Sequence, residues 1–149
     1  MCNLNTKDPY DRFIGYRLKR LYLLRNQAID EALKVHGLAR SQWQVLYHVN
    51  KAGELAQKDL QSTMRVESAT LTRIADSLVR KGWLQRSESP VDKRVKILRL
   101  TNNGHDRWNA IPRPMEIVER QMLHGIDAES RKLLKDGIEQ MIKNLEALR

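Results

Sequence analysis

The stretch from Trp83 to Gly104, WLQRSESPVDKRVKILRLTNNG, constrains the fold of this chain more than any other segment. It contains two strand patterns on either side of a turn with the turn formers Pro90 and Asp92, which predicts a β-hairpin. Two short helical patterns lie directly upstream, roughly within residues 56–81. Two short helices followed by a basic hairpin are typical of a winged helix-turn-helix, which places one helix in a DNA major groove and a charged turn in the adjacent minor groove.

Apolar residues at helical spacing predict helices along the rest of the chain, so the expected fold class is mainly α with a small β-hairpin wing. Ser41 and Gln44 fit the spacing of a capping box at the start of the second helix. The predicted elements are helices at about Tyr10–His36, Ser41–Asn50, Gln57–Met64 and Ser68–Lys81, strands at Trp83–Ser89 and Val95–Leu100, a helix capped by Thr101 and kinked or broken at Pro112 and Pro114, a resumed helix at Met115–His124, and a last helix capped by Asp127.

The first and last helices carry more apolar surface than a winged unit needs for its own core. We therefore expect them to pair with a second copy of the chain. The predicted organisation is one compact unit, in which residues 1–36 and 105–149 form a helical dimerisation region around a winged helix-turn-helix at residues 37–104. The apolar stripes are Ile14, Leu18, Leu21, Ala28, Ala32 and Val35 in the first helix, and Leu134, Ile138, Met141, Leu145 and Leu148 in the last.

The charge distribution favours a polyanionic partner for the first two thirds of the chain. The net charge is +9, and residues 105–149 carry eight basic and eight acidic groups, so the whole excess lies before them. DNA explains this excess, and so does an ordinary basic surface in water. The single cysteine allows no intrachain disulfide, and no apolar run suggests a signal peptide or membrane span, which predicts a cytoplasmic protein.

Three stretches resemble the MarR (multiple antibiotic resistance regulator) family of transcription regulators: LAQKDL at 55–60, ATLTRIADSLVRKGWLQR at 69–86 and DKRVKILRLTNNG at 92–104. The last matches the family's wing pattern of an Asp, any residue, an Arg, then Leu-Thr and a Gly three residues after the Thr. The resemblance implies a triangular homodimer whose terminal helices interleave, with two winged units on successive major grooves of a near-palindromic operator. It also implies a repressor that a small phenolic compound or cysteine oxidation releases.

The chain departs from the family pattern at several positions. Arg65 stands in the turn of the helix-turn-helix where the family often has Gly, and a positive φ is less favourable for Arg than for Gly. Ala56 and Glu67 replace the usual Ser or Thr caps, which weakens each helix start by about 1 kcal/mol. The two prolines interrupt what is usually one long helix.

The predicted DNA contacts lie on the helix at 68–81 and on the turn of the wing. Arg73 faces away from the apolar side, so its guanidinium can pair with guanine O6 and N7, or alternatively with Asp76 or Ser77 on its own helix. Arg94 and Lys93 suit a narrow minor groove, and Asp92 either orients Arg94 or only shapes the turn through an ion pair. Side-chain hydroxyls that could reach phosphates or bases are those of Ser68, Thr70 and Thr72.

The second helix carries a candidate effector site. Trp43 and Tyr47 are four residues apart on the second helix, a spacing that fits plain core packing and also an aromatic ligand site of the kind the family resemblance implies. Arg17 and His36 are the candidate partners for an anionic group. Cys2 is a possible redox trigger, although a reactive thiol needs an ordered electropositive site.

The sequence shows no nucleophile motif, phosphate loop or patterned pair of carboxylates, and its histidines have no metal-ligand spacing. We therefore expect no enzyme activity, no cofactor and no metal. The predicted function is sequence-specific DNA binding by a homodimeric regulator, with double-stranded operator DNA as partner and a small aromatic or anionic effector as a further one. Two alternatives stay open at this point: a winged helix used for protein contacts without DNA, and a small-molecule-binding enzyme or carrier built on the dimer base.

Overall fold

A computed structural model describes Tyr10 and residues 12–149 of the chain. The chain divides into two compact units, the first ending at Pro114 and the second running from Met115 to Arg149. In the described part, no helix is both long and apolar enough to cross a membrane. The elements are α1 (Ile14–Lys34), α2 (Arg40–Ala52), β1 (Glu54–Ala56), α3 (Gln57–Met64), α4 (Ser68–Arg80), β2 (Leu84–Glu88), β3 (Lys96–Leu100), α5 (Asn102–Ala110), α6 (Pro114–Met122) and α7 (Ala128–Glu146). The predicted mainly α winged fold is confirmed.

The wing is part of a three-stranded antiparallel sheet in the order β1-β3-β2. The sequence predicted the hairpin of β2 and β3 but not β1, where Leu55 pairs with Leu98 of β3. Three residues are too few to show the alternation that identifies a strand, so β1 depends on β3 as its template. In the hairpin, Leu84 lies opposite Leu100 and Glu88 opposite Lys96.

The core of the first unit lies among α1, α2, α4 and the sheet. Leu71, Ala75 and Leu78 recur at helical spacing along α4, and all three are buried. This fixes which side of α4 faces inward, because full burial of each large aliphatic side chain stabilises the fold by about 1.5–3 kcal/mol. Other fully buried core residues are Ile29, Leu33, Val45, Leu46, Val49, Leu60, Leu84 and Leu98.

The start of α2 differs from the prediction. The helix begins at Arg40 with Ala39 as its N-cap, so the expected capping box of Ser41 and Gln44 is wrong. Instead, the Oε1 atom of Gln42 accepts a hydrogen bond from the backbone N–H of Ala39 at 3.0 Å. Ala39 has no side-chain acceptor to complete a reciprocal box. The cap uses only the Oε1 atom of Gln42, so its Nε2 donates to Ser77 of α4.

Two predicted caps and the predicted proline break are confirmed. Thr101 Oγ1 accepts from the N–H of Gly104 at 2.9 Å, and Asp127 Oδ1 accepts from the N–H of Ser130 at 2.8 Å. The backbone is extended at Ile111, as expected for a residue before proline, and Pro114 is the first residue of α6. The resumed helix therefore runs from Pro114 to Met122, slightly earlier than predicted.

Candidate nucleic-acid interface

The outer face of α4 is polar and exposed along its first two turns. Ser68, Thr70 and Arg73 are all exposed, and the helical spacing places Arg73 on the side of α4 opposite the buried Leu71 and Leu78. Thr70 lies on one flank of this face, and Ser68 lies at the start of the helix. An exposed arginine on the outer face of a rigid helix can take part in direct readout in a major groove.

Arg73 has no internal partner. Within the described residues, no hydrogen bond or ion pair involves its guanidinium. The two alternative partners on the same helix are engaged elsewhere: the carboxylate of Asp76 accepts from Nη1 of Arg86 at 2.7 Å, and the hydroxyl of Ser77 accepts from the amide of Gln42 at 2.8 Å. The charge of Arg73 is therefore uncompensated within the described chain.

Thr72 occupies a different environment from Ser68 and Thr70, with which the sequence grouped it. It is half-buried, and its hydroxyl accepts a hydrogen bond from Nε2 of Gln57 at 3.1 Å. Gln57 is the first residue of α3, so this bond joins the two helices of the helix-turn-helix. The hydroxyl of Thr72 keeps its own proton for donation while its position is fixed by α3.

The tip of the wing is organised by Asp92 and Arg94. The Oδ1 atom of Asp92 accepts from the backbone N–H of Arg94 at 3.0 Å and from its Nε at 3.1 Å, and Oδ2 accepts from Nη2 at 3.1 Å. The hydrogen bonds from the Arg94 side chain and backbone hold the pKa of Asp92 below its usual value. The Arg94 side chain is 90% exposed, so the pair shapes the turn and still presents the guanidinium to solvent.

Cations lower on the wing pair with carboxylates, whereas at the tip Arg94 pairs with Asp92 and Lys93 has no such partner in the described part of the chain. Lys96 pairs with Glu88 across the hairpin at 3.0 Å, and Arg99 pairs with Glu54 across β1 and β3. Lys93 is exposed at the turn and has no ion pair among the described residues. Among the described residues, the unpaired positive charge of the wing therefore lies at its tip, on Lys93.

Three side-chain hydrogen bonds tie α4 to its neighbours, and sequence reasoning found none of them. Each joins a half-buried residue of α4 to a different element, so together they restrain the rotation and tilt of the helix. No local pattern signals such pairs, because the partners are 10 to 35 residues apart in sequence. The pairs are Gln42 with Ser77 from α2, Gln57 with Thr72 from α3, and Arg86 with Asp76 from β2.

The structure shows the local conformation of the three helix-turn-helix residues that depart from the family pattern. Arg65 has φ 52° and ψ 44°, in the left-handed region, and its N–H caps the carbonyls of Gln61 and Ser62. A residue with a Cβ held there costs on the order of 1–2 kcal/mol relative to Gly. Ala56 and Glu67, the N-cap residues of α3 and α4, make no side-chain capping hydrogen bond.

Comparison with known proteins places this architecture in a family. The MarR family model matches residues 38–96, from just before α2 to the first residue of β3. The HTH-type transcriptional regulator YdgJ of Bacillus subtilis is 34% identical over 114 residues, which cover 74% of this chain and 70% of YdgJ. The chain belongs to the MarR family. MarR-family proteins are transcription regulators and not enzymes, which confirms the expectation of a DNA-binding regulator without catalytic activity.

Solved structures of MarR-type proteins share the fold. A mutant MarR from E. coli, complexed with operator DNA, superposes with a TM-score of 0.78 at 22% identity, over 90% of this chain and 98% of that one. BpsR of Bordetella bronchiseptica, whose DNA binding is regulated by 6-hydroxynicotinic acid, gives a TM-score of 0.76 at 19% identity, over 89% and 94% of the two chains. This MarR-family chain therefore shares its winged helix-turn-helix fold with both of these proteins.

An aromatic cluster lies beside the core of the first unit. The Trp43 ring stacks on Tyr47 with centroids 5.5 Å apart and on Trp108 of α5 with centroids 5.6 Å apart. A cavity of about 180 Å³ opens next to it, lined by Trp43, Trp108, Asn109, Ile111 and Arg113. The structure thus brings Trp43 and Tyr47 together, as expected.

The cations of the aromatic cluster differ from those that the sequence suggested. Arg113 lines the cavity, whereas Arg17 and His36 are not among its lining residues. His48 packs edge-on against Tyr47, and its pKa is lowered by burial and, less, by the charge of Lys51. The sequence missed Trp108 and Arg113 because they follow α4 and the wing in the chain and meet Trp43 only in the folded unit.

Two further expectations concern cysteine and metal chemistry. Cys2 lies outside the described residues, so its proposed redox role stays a prediction. In the part of the chain that the structure describes, no three His, Cys, Asp or Glu side chains come together as a metal site would require.

Proposed function

We propose that this MarR-family regulator is a cytoplasmic homodimer that binds a near-palindromic operator and represses nearby genes. The observation that carries the proposal is the uncompensated guanidinium of Arg73 on the outer face of α4, together with the exposed guanidinium of Arg94 at the tip of the wing. Inserting α4 into a major groove brings the first group to base edges, and the wing then meets the adjacent minor groove. The operator complex of the similar E. coli MarR supports this mode of binding.

Each predicted contact has a distinct role in this proposal. Arg73 reads a guanine through two parallel hydrogen bonds, and Ser68 and Thr70 donate to phosphates or base edges. Arg94, oriented by Asp92, and the neighbouring Lys93 enter the minor groove, where negative potential favours cations. Thr72, which Gln57 holds in place, supports the helix face from its margin.

The terminal helices supply the proposed dimer interface. Helix α7 has no buried residue within its own chain, although it carries an apolar stripe. Helix α1 likewise leaves large apolar side chains exposed along its first half. A second copy of the chain would cover these apolar stripes and remove them from water. The exposed apolar residues include Ile14, Leu21, Tyr22 and Leu24 in α1 and Leu133, Leu134, Ile138, Ile142 and Leu145 in α7.

The ligand response is proposed at the aromatic cluster. Trp43 and Trp108 offer flat apolar faces, and Arg113 and Asn109 offer donors for a carboxylate or hydroxyl group. Small aromatic acids fit this chemistry, and the regulation of BpsR by 6-hydroxynicotinic acid supports the class. Because α2 is tied to α4 through Gln42 and Ser77, filling the cavity can shift the reading helix.

The direct test is titration of the purified protein onto the DNA upstream of its own gene at several salt concentrations. DNA binding through phosphates predicts that the logarithm of affinity falls linearly with the logarithm of salt, with a slope of about −0.9 per phosphate contact. The operator should also bind far more tightly than a scrambled duplex. Absence of salt-dependent binding to either duplex would contradict the proposal and favour a protein-interaction module.

A further inference from the structure

Arg65 combines an unfavourable backbone with an unused side chain. It is the one residue other than glycine with a positive φ in the described part of the chain. Its backbone N–H caps the end of α3, a task that glycine performs equally well and without strain. Local geometry therefore does not explain why an arginine stands at this turn.

Packing does not explain the arginine either. The Arg65 side chain is exposed, and among the described residues it makes no hydrogen bond or ion pair. The nearby carboxylates of Asp59 and Glu67 form no ion pair with it. An interaction that offsets the strain must therefore come from outside the chain, and a strained residue with such a free head group is a candidate for function.

We propose that Arg65 is a phosphate-contacting residue of the DNA interface, which rests on the proposed function. The turn that carries Arg65 joins α3 to α4 and lies three residues before Ser68, the first residue of α4. In a helix-turn-helix the first helix crosses the sugar-phosphate backbone and the second lies in the groove, so their connection runs along the groove edge. A long guanidinium there can pair with phosphate oxygens through two N–H groups. Such a contact fixes the register of α4 without reading sequence.

The test is Arg65→Gly, because it separates the two properties of the residue. The variant removes the strain, so its melting temperature should rise by a few degrees. It also removes the cation, so affinities for operator and for a scrambled duplex should fall by a similar factor, on the order of tenfold. The salt slope should become shallower by about one unit per protomer.

Two further variants and a control sharpen the result. Arg65→Asn keeps a side chain that tolerates the left-handed conformation but carries no charge, so it should lose the same affinity. Arg65→Lys keeps the charge but not the paired N–H groups, so it should keep the salt slope and lose less affinity than Arg65→Gly. Lys143→Gln, which removes one charge from α7, should leave both affinities and the salt slope unchanged.

Each other outcome overturns the inference in a recognisable way. If Arg65→Gly binds both duplexes with wild-type affinity and salt slope, the Arg65 side chain does not contact phosphate, and the proposed function is unaffected. Selective loss of operator affinity would make Arg65 a base reader, contrary to the proposal. A lower melting temperature would contradict the strain on which the argument depends. If the wild-type protein shows no salt-dependent DNA binding, the proposed function and this inference fail together.

Discussion

Asp92 accepts three hydrogen bonds from Arg94, one from the backbone N–H at 3.0 Å and two from the guanidinium at 3.1 Å each. The ion pair that the sequence offered as one alternative is present, and it leaves the Arg94 side chain exposed, so the other alternative, a minor-groove contact, stays a proposal. A side chain held in this way loses less conformational entropy when it enters a groove than a freely rotating one. The wing is therefore preorganised by a pair that is itself exposed.

Replacing Arg94 with Ala should lower operator affinity by about 1–3 kcal/mol, since a charged contact is lost. Asp92→Asn should cost less affinity, because it loosens Arg94 without removing it. The double variant should bind no worse than Arg94→Ala, as expected for two residues that act through one contact. Affinities from fluorescence anisotropy give the cycle, and a strictly additive double variant would show that Asp92 acts independently of Arg94.

The Asp92–Arg94 pair should also depend on pH in one direction. The pKa of Asp92 is lowered in the folded wing from its ordinary value of 3.8, so the pair is complete above that value and its stabilising effect is lost as the pH falls below it. NMR titration of the Asp92 carboxyl carbon should give a midpoint below that of an unfolded peptide. A midpoint at or above 3.8 would mean that the pair does not form in solution.

Gly104 should not tolerate a side chain. A Cβ built at this position overlaps the backbone carbonyl of Trp83, which cannot move without shifting the start of β2. Gly104→Ala should therefore destabilise the protein by about 1–3 kcal/mol or more in urea denaturation. Asn102→Ala, on an exposed position of the same helix turn, is the matched control and should be close to neutral.

The apolar stripe of α7 should control assembly. Ile138→Glu places a carboxylate on the stripe and should shift the protein from dimer towards monomer, because an unpaired charge cannot be buried without cost. Gln140→Glu adds the same charge on the opposite side of α7 and should leave the dimer intact. Sedimentation equilibrium at micromolar concentration distinguishes these results, and a compact wild-type monomer would contradict the proposed interface.

Salicylate-like aromatic acids should quench tryptophan fluorescence by binding beside Trp43 and Trp108. Linkage requires that operator DNA weaken this binding by the factor by which the ligand weakens DNA binding. Arg113→Gln should reduce affinity for the acid, whereas Arg17→Gln, at a position that does not line the cavity, should not. Equal ligand affinity with and without operator would exclude this form of regulation and leave the DNA-binding role untouched.

Some elements of the fold could be predicted from the sequence, and others could not. Helix α4 and the hairpin were predictable because Leu71, Ala75 and Leu78 repeat at helical spacing and the turn residues punctuate the strands. Strand β1 was not, because it forms only by pairing with β3. Likewise the Arg86–Asp76 and Gln42–Ser77 pairs join distant segments, so no local pattern encodes them.

In the candidate site, too, residues could be proposed from local patterns, whereas their tertiary contacts could not. Arg73 and Arg94 could be proposed as DNA contacts from helical spacing and the wing pattern, because each depends on its own position on α4 or the wing. Tertiary contacts could not be predicted in this way: Thr72 was proposed at the DNA surface without any sign that Gln57 holds its hydroxyl, and nothing indicated that Arg113 lines the cavity. Sequence reasoning therefore proposed the interface residues and left their supporting contacts to the fold.

The most direct test of the account is the effect of Arg73→Ala on specificity, measured as affinity for operator and for scrambled duplex at two or more salt concentrations. We predict that operator affinity falls by about 1–3 kcal/mol while scrambled-duplex affinity changes far less, because a base contact is lost. Arg80→Ala, at an exposed position near the end of α4, should instead weaken both equally or neither. Equal loss on both duplexes for Arg73→Ala would contradict the account, since Arg73 would then hold the DNA backbone and not read its sequence.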